Sequence, residues 1–143
     1  MDRLFQDQFP CSPKDEIDGL VYFPRLCSKV RLFAEGTLHP DLHANLGRAM
    51  DLWACQFLGV EYDALAEVIK AGASDEDALA WARKQGSERP EHERDWWNSY
   101  MRNTGYRDFL SDKLLARIVE SGLTGDTNIQ TMFDYIDADE GRE

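Results

Sequence analysis

Tyr22, Arg25 and Lys29 are the residues whose types and spacing most directly suggest chemistry. Steps of three and four place a phenol, a guanidinium and an ammonium on one helical face. Such a row can hold a carboxylate or phosphate through charge-assisted hydrogen bonds. Local charge agrees: residues 19–50 carry Arg25, Lys29, Arg31 and Arg48 against Glu35 and Asp41, a net of +2 in a chain whose total is −11. The candidate anion site is Tyr22, Arg25, Lys29, Arg31, Arg48 and Asp51. A second reading stays open, in which Arg25 and Lys29 pair with acids such as Asp18 or Asp51 and only fix helix packing.

Three other groups of residues bear on chemistry. His39 and His43 stand four apart, the spacing at which one helical turn offers two imidazoles to a metal ion. Further ligands would have to come from His92, Cys55, Asp41 or Asp51, none at a diagnostic spacing, and Pro40 puts His39 just ahead of a helix rather than on it. No metal and no cofactor are expected. Cys11, Cys27 and Cys55 form no Cys-x-x-Cys pair, and the latter two sit among apolar residues, where a thiol acts as a small hydrophobe. A reactive Cys27 is the alternative. Trp96, Trp97 and Tyr100 make a dense aromatic group. Adjacent helical residues diverge by about 100°, so one tryptophan can be core while the other meets a subunit or partner. These three are the expected interface residues. Asp137-x-Asp139-x-Gly141 and Asp15 to Gly19 lack the spacing of a calcium loop.

The elements that must position these residues are helical. The first twenty residues contain Pro10, Pro13 and Gly19 and read as an irregular segment. Phe23, Leu26, Cys27, Val30 and Phe33 form an apolar face on a helix that starts at Phe23 or Pro24 and is closed by Gly36. Leu46, Met50, Trp53, Ala54, Phe57 and Leu58 predict a continuous helix over 42–58. Further helices are expected over 63–71, from Ser74 to Gly86, from Pro90 to near Gly105, and from Ser111 to Gly122. A last one is capped by Asp126 or Thr127 and runs through Ile136, and the acidic tail 137–143 is expected to fray. No stretch alternates as a strand does, so none is expected. The predicted fold is all-α: a single domain over residues 1–143, with six or seven short helices in an orthogonal or irregular bundle.

Several segments together resemble a known family. These are Ser12-Pro13, Gly19, Phe23-Pro24-Arg25-Leu26 and Ser28-Lys29-Val30-Arg31, then Asp51 with Phe57-Leu58-Gly59-Val60, then Ala73-Ser74-Asp75 leading to Leu79-Ala80-Trp81. The chain is similar to short bacterial proteins grouped as the domain of unknown function numbered five thousand and sixty-nine. The likeness runs over roughly residues 9–101, and Phe133 to Asp137 also fits. His39 and His43 depart from the pattern. The resemblance implies a helical fold and no activity.

Composition narrows the function classes. With 16 Lys+Arg against 27 Asp+Glu, the chain repels nucleic acid and anionic membrane surfaces. Charge spread along the sequence leaves no room for a membrane span. Phosphate-binding loops, dinucleotide turns, nucleophile elbows and His-Glu-x-x-His helices are absent. The N-terminus has no basic then apolar leader, so a cytoplasmic location is expected. These features together predict a noncatalytic binding or protein-interaction module, either self-associating or engaging another protein, with a small-anion site. The alternative is a small enzyme or metal-dependent protein using the His39/His43 region or Cys27.

Overall fold

The chain enters its first helix through a short β-hairpin that the sequence pattern did not predict. In the computed structural model, which describes residues 8–142, strands β1 (Glu16–Ile17) and β2 (Leu20–Val21) pair antiparallel, Glu16 opposite Val21 and Ile17 opposite Leu20. Asp18 and Gly19 both have positive φ, +48° and +72°, as a two-residue turn of this kind requires. With two residues per strand, there is no room for the alternation by which strands are recognised.

Seven α-helices follow: α1 (Phe23–Ala34), α2 (Met50–Leu58), α3 (Tyr62–Lys70), α4 (Asp75–Gln85), α5 (Glu91–Asn103), α6 (Ser111–Glu120) and α7 (Met132–Asp139). The described chain is thus mostly helical. α1 is the central element, and every residue from Leu20 to Cys27 is buried. Its apolar face meets Ala54, Cys55 and Leu58 of α2, Leu65 and Ile69 of α3, Leu79 of α4, Met101 of α5 and Phe133 of α7 in one core. α4 opens on Ser74, whose side chain accepts the Asp77 N–H, so the Ser-x-x-Asp signal forms half of a capping box.

Two expectations about helix limits are corrected. The helix predicted over 42–58 is broken into a 3-10 helix, Pro40–Asn45, and α2. Gly47 has φ +73° and Ala49 φ +51°, so the backbone turns left-handed twice while the apolar periodicity runs on. A Cβ on residue 47 would stand 2.8 Å from the Tyr62 ring, so the break needs glycine on steric grounds too. The last helix starts later than Asp126 or Thr127 suggested. Its N-cap is Thr131, whose side chain accepts the Asp134 N–H, and Ile129 lies in the preceding loop.

The acidic tail is also corrected. Asp137 is buried, and the Glu140 side chain is 3% exposed. Both are held by cations of the N-terminal half. Met1 to Asp7 of the irregular segment, and Glu143 of the tail, lie outside the described residues.

Candidate functional site

α1 does place Tyr22, Arg25 and Lys29 in a row, and the row is buried: they are 3%, 2% and 3% exposed. Tyr22 is the N-cap, with φ +72° and ψ −30°, a conformation that costs a bulky residue about 1–3 kcal/mol. It is held from several sides. Its N–H donates to the Asp15 carbonyl, and the neighbouring hairpin is clasped by Asn98 of α5. Asn98 accepts the Val21 N–H at 3.2 Å and donates to the Gly19 carbonyl at 2.6 Å.

Asp51, fully buried at the start of α2, is where the row converges. The Tyr22 hydroxyl donates to its Oδ1 at 2.6 Å, Lys29 Nζ lies 3.1 Å and 3.0 Å from its two oxygens, and the Gly47 N–H donates to Oδ2 at 3.0 Å. The left-handed Gly47 turn is therefore what presents a backbone donor to the carboxylate. Burial and then the Asp51 charge push the Tyr22 phenol well up, so it stays protonated and donates. Burial pulls the Lys29 ammonium down, and Asp51 opposes that shift by its charge and its hydrogen bonds.

Arg25 meets a different acid. Its guanidinium makes a two-pronged contact with Glu140, at 2.9 Å and 2.6 Å, and donates to the Cys11 carbonyl at 3.0 Å. Burial pulls its pKa down, but Glu140, Tyr22 and Asp51 outweigh that and hold it charged. Arg142 joins the same cluster, lying 3.4 Å from Asp137 and 2.5 Å from Glu140 and donating to the Pro10 carbonyl. Ser12 donates to Asp137 at 3.0 Å, and Lys14 bridges to Asp134 at 2.8 Å. Residues 10–14 and 134–142 are thus buckled together across α1.

The other two members of the expected anion set lie apart from this row. Arg31 pairs with Asp75 at 2.7 Å and donates to the Ala73 carbonyl at 3.1 Å, and Arg48 is exposed in the turn before α2. What converges is Tyr22, Lys29 and Asp51, with Arg25 one step away on Glu140. Sequence reasoning did not find Glu140 or Asp137, because nothing local marks two acids of a C-terminal tail as partners of α1.

The described histidines and cysteines have separate local partners. His39 caps the 3-10 helix by accepting the Asp41 N–H, and its ring stacks on Phe9 at 4.7 Å. His43 Nε2 lies 2.9 Å from the Leu38 carbonyl, its ring edge-on to Phe33. Among the described residues no group of three or more His, Cys, Asp or Glu side chains could hold a metal ion. Burial pushes the Cys11 thiol up to about 11 and Cys55 to about 12, and Cys27 well above its usual range. A buried neutral thiol is a poor nucleophile.

The tryptophans divide. Trp97 is half-buried and stacks on Phe57 at 5.0 Å, with Arg89 over the other ring's face at 5.3 Å from its centroid. Trp96 is 68% exposed and Tyr100, one turn on, 44%. Tyr100 meets Trp53 of α2 at 5.9 Å and Phe109 at 6.5 Å, while Trp53 and Phe109 are 6.2 Å apart. Three rings in mutual contact, with Phe109 66% exposed, make an aromatic face across α2, α5 and the loop after α5, and Trp96, edge-on to His92 at 5.0 Å, lies one helical turn before Tyr100. Trp53 and Phe109 were not among the expected interface residues; their apolar spacing reads equally well as core.

Two clefts lie elsewhere. One of 990 Å³ runs between the hairpin and α4, walled by Asp15, Glu16, Asp18, Asp75 and Glu76 with Arg83. The second, 410 Å³, lies between α1 and α3 beside Phe33, Tyr62 and Lys70. No described helix is long and apolar enough to cross a membrane.

Comparison with known proteins agrees with the segments quoted from the sequence. The model of the family described as a domain of unknown function, DUF5069, matches residues 7–142, and the chain belongs to that family. No curated protein matches it.

Proposed function

We propose that this member of the DUF5069 family is a noncatalytic protein-binding module whose contact surface is the aromatic face of α2 and α5. The observation that carries this reading is the exposure of Phe109 and Tyr100, at 66% and 44%, around the half-buried Trp53, with Trp96, 68% exposed, one turn before Tyr100 on α5. Large rings left in water give up burial free energy that a partner can recover, and tryptophan and tyrosine dominate the energetic centres of interfaces.

The partner that fits is a protein segment carrying arginine or lysine beside an apolar residue. A net charge of −11 attracts cations over distance, and ring faces accept them at contact. The protein already makes such contacts within itself, Arg89 over Phe57 and Arg107 over Tyr106 at 5.3 Å and 5.2 Å. The same charge disfavours nucleic acid and anionic membranes. A small-anion site at Arg25 and Lys29 is less favoured, since both cations are buried and already hold the carboxylates of Glu140 and Asp51.

The test is a tryptophan-fluorescence titration with a peptide alternating arginine and leucine, against its glutamate counterpart. The arginine peptide should bind and the glutamate peptide should not. Trp96→Ala or Phe109→Ser should weaken binding about tenfold at unchanged helix content. Equal binding of the two peptides, or binding indifferent to both substitutions, would overturn the reading.

A further inference from the structure

The geometry of the three touching rings decides which cation they can receive. Tyr100 and Phe109 are parallel to within 11°, while Trp53 stands at 62° to the first and 59° to the second. Their centroids form a nearly equilateral triangle with sides of 5.9, 6.2 and 6.5 Å. A methylated ammonium carries carbon on every side of its nitrogen and is best held at the centre of a cage of ring faces. Here that centre is only about 3.6 Å from each centroid, no more than the contact distance of two carbon atoms, so the rings themselves fill it.

What remains is open ring face, chiefly that of Phe109, with Tyr100 less exposed and Trp53 half-buried. A guanidinium is planar, weakly hydrated and stacks on a ring with its N–H groups left at the edge, whereas an ammonium is compact and holds its water. Because Tyr100 and Phe109 are parallel, a guanidinium laid on either is aligned with both.

An acid adjoins this face. Asp108 precedes Phe109 in the chain and is exposed. The Gly105 N–H lies 3.0 Å from both of its carboxylate oxygens, and the Leu110 N–H donates to Oδ1 at 2.9 Å. Oδ2 thus shares one N–H and keeps room for a further donor. Its charge reaches Tyr100: burial first and Asp108 second push that phenol up, so the ring keeps its proton. Arg107, on the other side of Asp108 in the chain, lies over Tyr106 instead.

We propose that this face selects arginine over lysine: a guanidinium stacks on Phe109, parallel to Tyr100, and turns an N–H edge towards Asp108. The assignment rests on the protein-binding reading above and names the side chain that the partner must present.

Fluorescence titration with the arginine–leucine peptide, and with counterparts carrying lysine or trimethyllysine, tests this. The arginine peptide should bind about fivefold tighter than the lysine peptide, and tighter than the trimethyllysine one. Phe109→Leu keeps apolar bulk and loses the ring face, so it should cost the arginine peptide about fivefold more than the lysine peptide, at unchanged helix content. Asp108→Asn retains an acceptor for the loop N–H groups and should also narrow the preference. Equal affinity for arginine and lysine, with the glutamate peptide still rejected, overturns the arginine assignment and leaves the protein-binding reading in place. Tighter binding of trimethyllysine would mean a cage and overturns it as well. A preference that survives Phe109→Leu overturns the stacking on that ring, and failure of every cationic peptide to bind sinks both readings.

Discussion

The seam around α1 and the face across α2 and α5 reverse the usual distribution of side chains. Around α1, Lys29 meets Asp51 of α2 and Arg25 meets Glu140 of the C-terminal segment, charged groups 4% exposed or less. On the other side, Trp96 and Phe109 stand two-thirds in water. Removing charges from solvent costs several kcal/mol each, returned only when each finds its counter-charge and hydrogen bonds. The seam is therefore unforgiving of single changes, because every deletion strands a partner. On the aromatic face, Trp53 still packs against the core, but Trp96 and Phe109 have little burial to lose, so changing them should leave the fold in place. The difference separates residues that hold this protein together from residues that can serve a partner, and a set of substitutions can test it.

The largest effect is expected at Asp51. Asp51→Ala strands the Lys29 ammonium and the Tyr22 hydroxyl in the interior and should cost about 3–5 kcal/mol in urea unfolding. Glu140→Ala should cost about 3 kcal/mol, at the lower end of that range, since water can reach Arg25 once the C-terminal segment lifts. Amide exchange should then rise in α7 and leave α3 and α4 unaffected. Loss below 1 kcal/mol in either variant would make the seam no different from a surface ion pair.

Neighbouring tryptophans give the next contrast. Trp97→Ala removes the ring stacked on Phe57 and should cost about 2–3 kcal/mol, while Trp96→Ala should change stability by no more than about 0.5 kcal/mol. Equal thermal shifts for the two would erase the distinction between core and face.

The smallest effect is the Lys14–Asp134 bridge at the rim of the seam. Burial pushes the Asp134 carboxyl up, but hydrogen bonds from Lys14 and the Gln130 N–H, with the Lys14 charge, hold it below its ordinary 3.8. A carboxyl depressed on folding contributes stability that is complete above 3.8 and lost as pH falls through the lower folded value. Lys14 is raised from 10.5, chiefly by its hydrogen bond to Asp134 and against burial, so its share is present below 10.5 and lost as pH rises through the folded value. Asp134→Asn should cost about 0.5 kcal/mol at neutral pH, as for an exposed pair, and flatten the acid limb of the stability–pH curve. A steeper acid limb in the variant would contradict the assigned direction.

Much of the seam's α1 side was legible in the sequence, because Tyr22, Arg25 and Lys29 lie within two helical turns and steps of three and four need only local geometry. Asp51 was within reach as one acid near a basic stretch. Glu140 was not: it contacts Arg25 from 115 residues away, and an acidic run before a chain end carries no mark of burial. The break at Gly47 was hidden by apolar spacing that continues across it, although glycine in a run of helical residues is itself a signal. Asp18-Gly19 was the local sign of the hairpin, outweighed by strands too short to show alternation.

The sequence by itself determined that the chain is helical, where most helices begin and end, and that one basic row lies along the first of them. Those features depend on capping, periodicity and proline or glycine placement within a few residues. Only the tertiary structure decided that Arg25 takes Glu140 while Lys29 takes Asp51, and that Trp97 turns inward and Trp96 outward. Both outcomes depend on which distant segments pack against α1 and α5. A buried charge accepts whatever counter-charge the folded chain delivers to it, and a ring is buried only where a neighbour such as Phe57 is brought alongside.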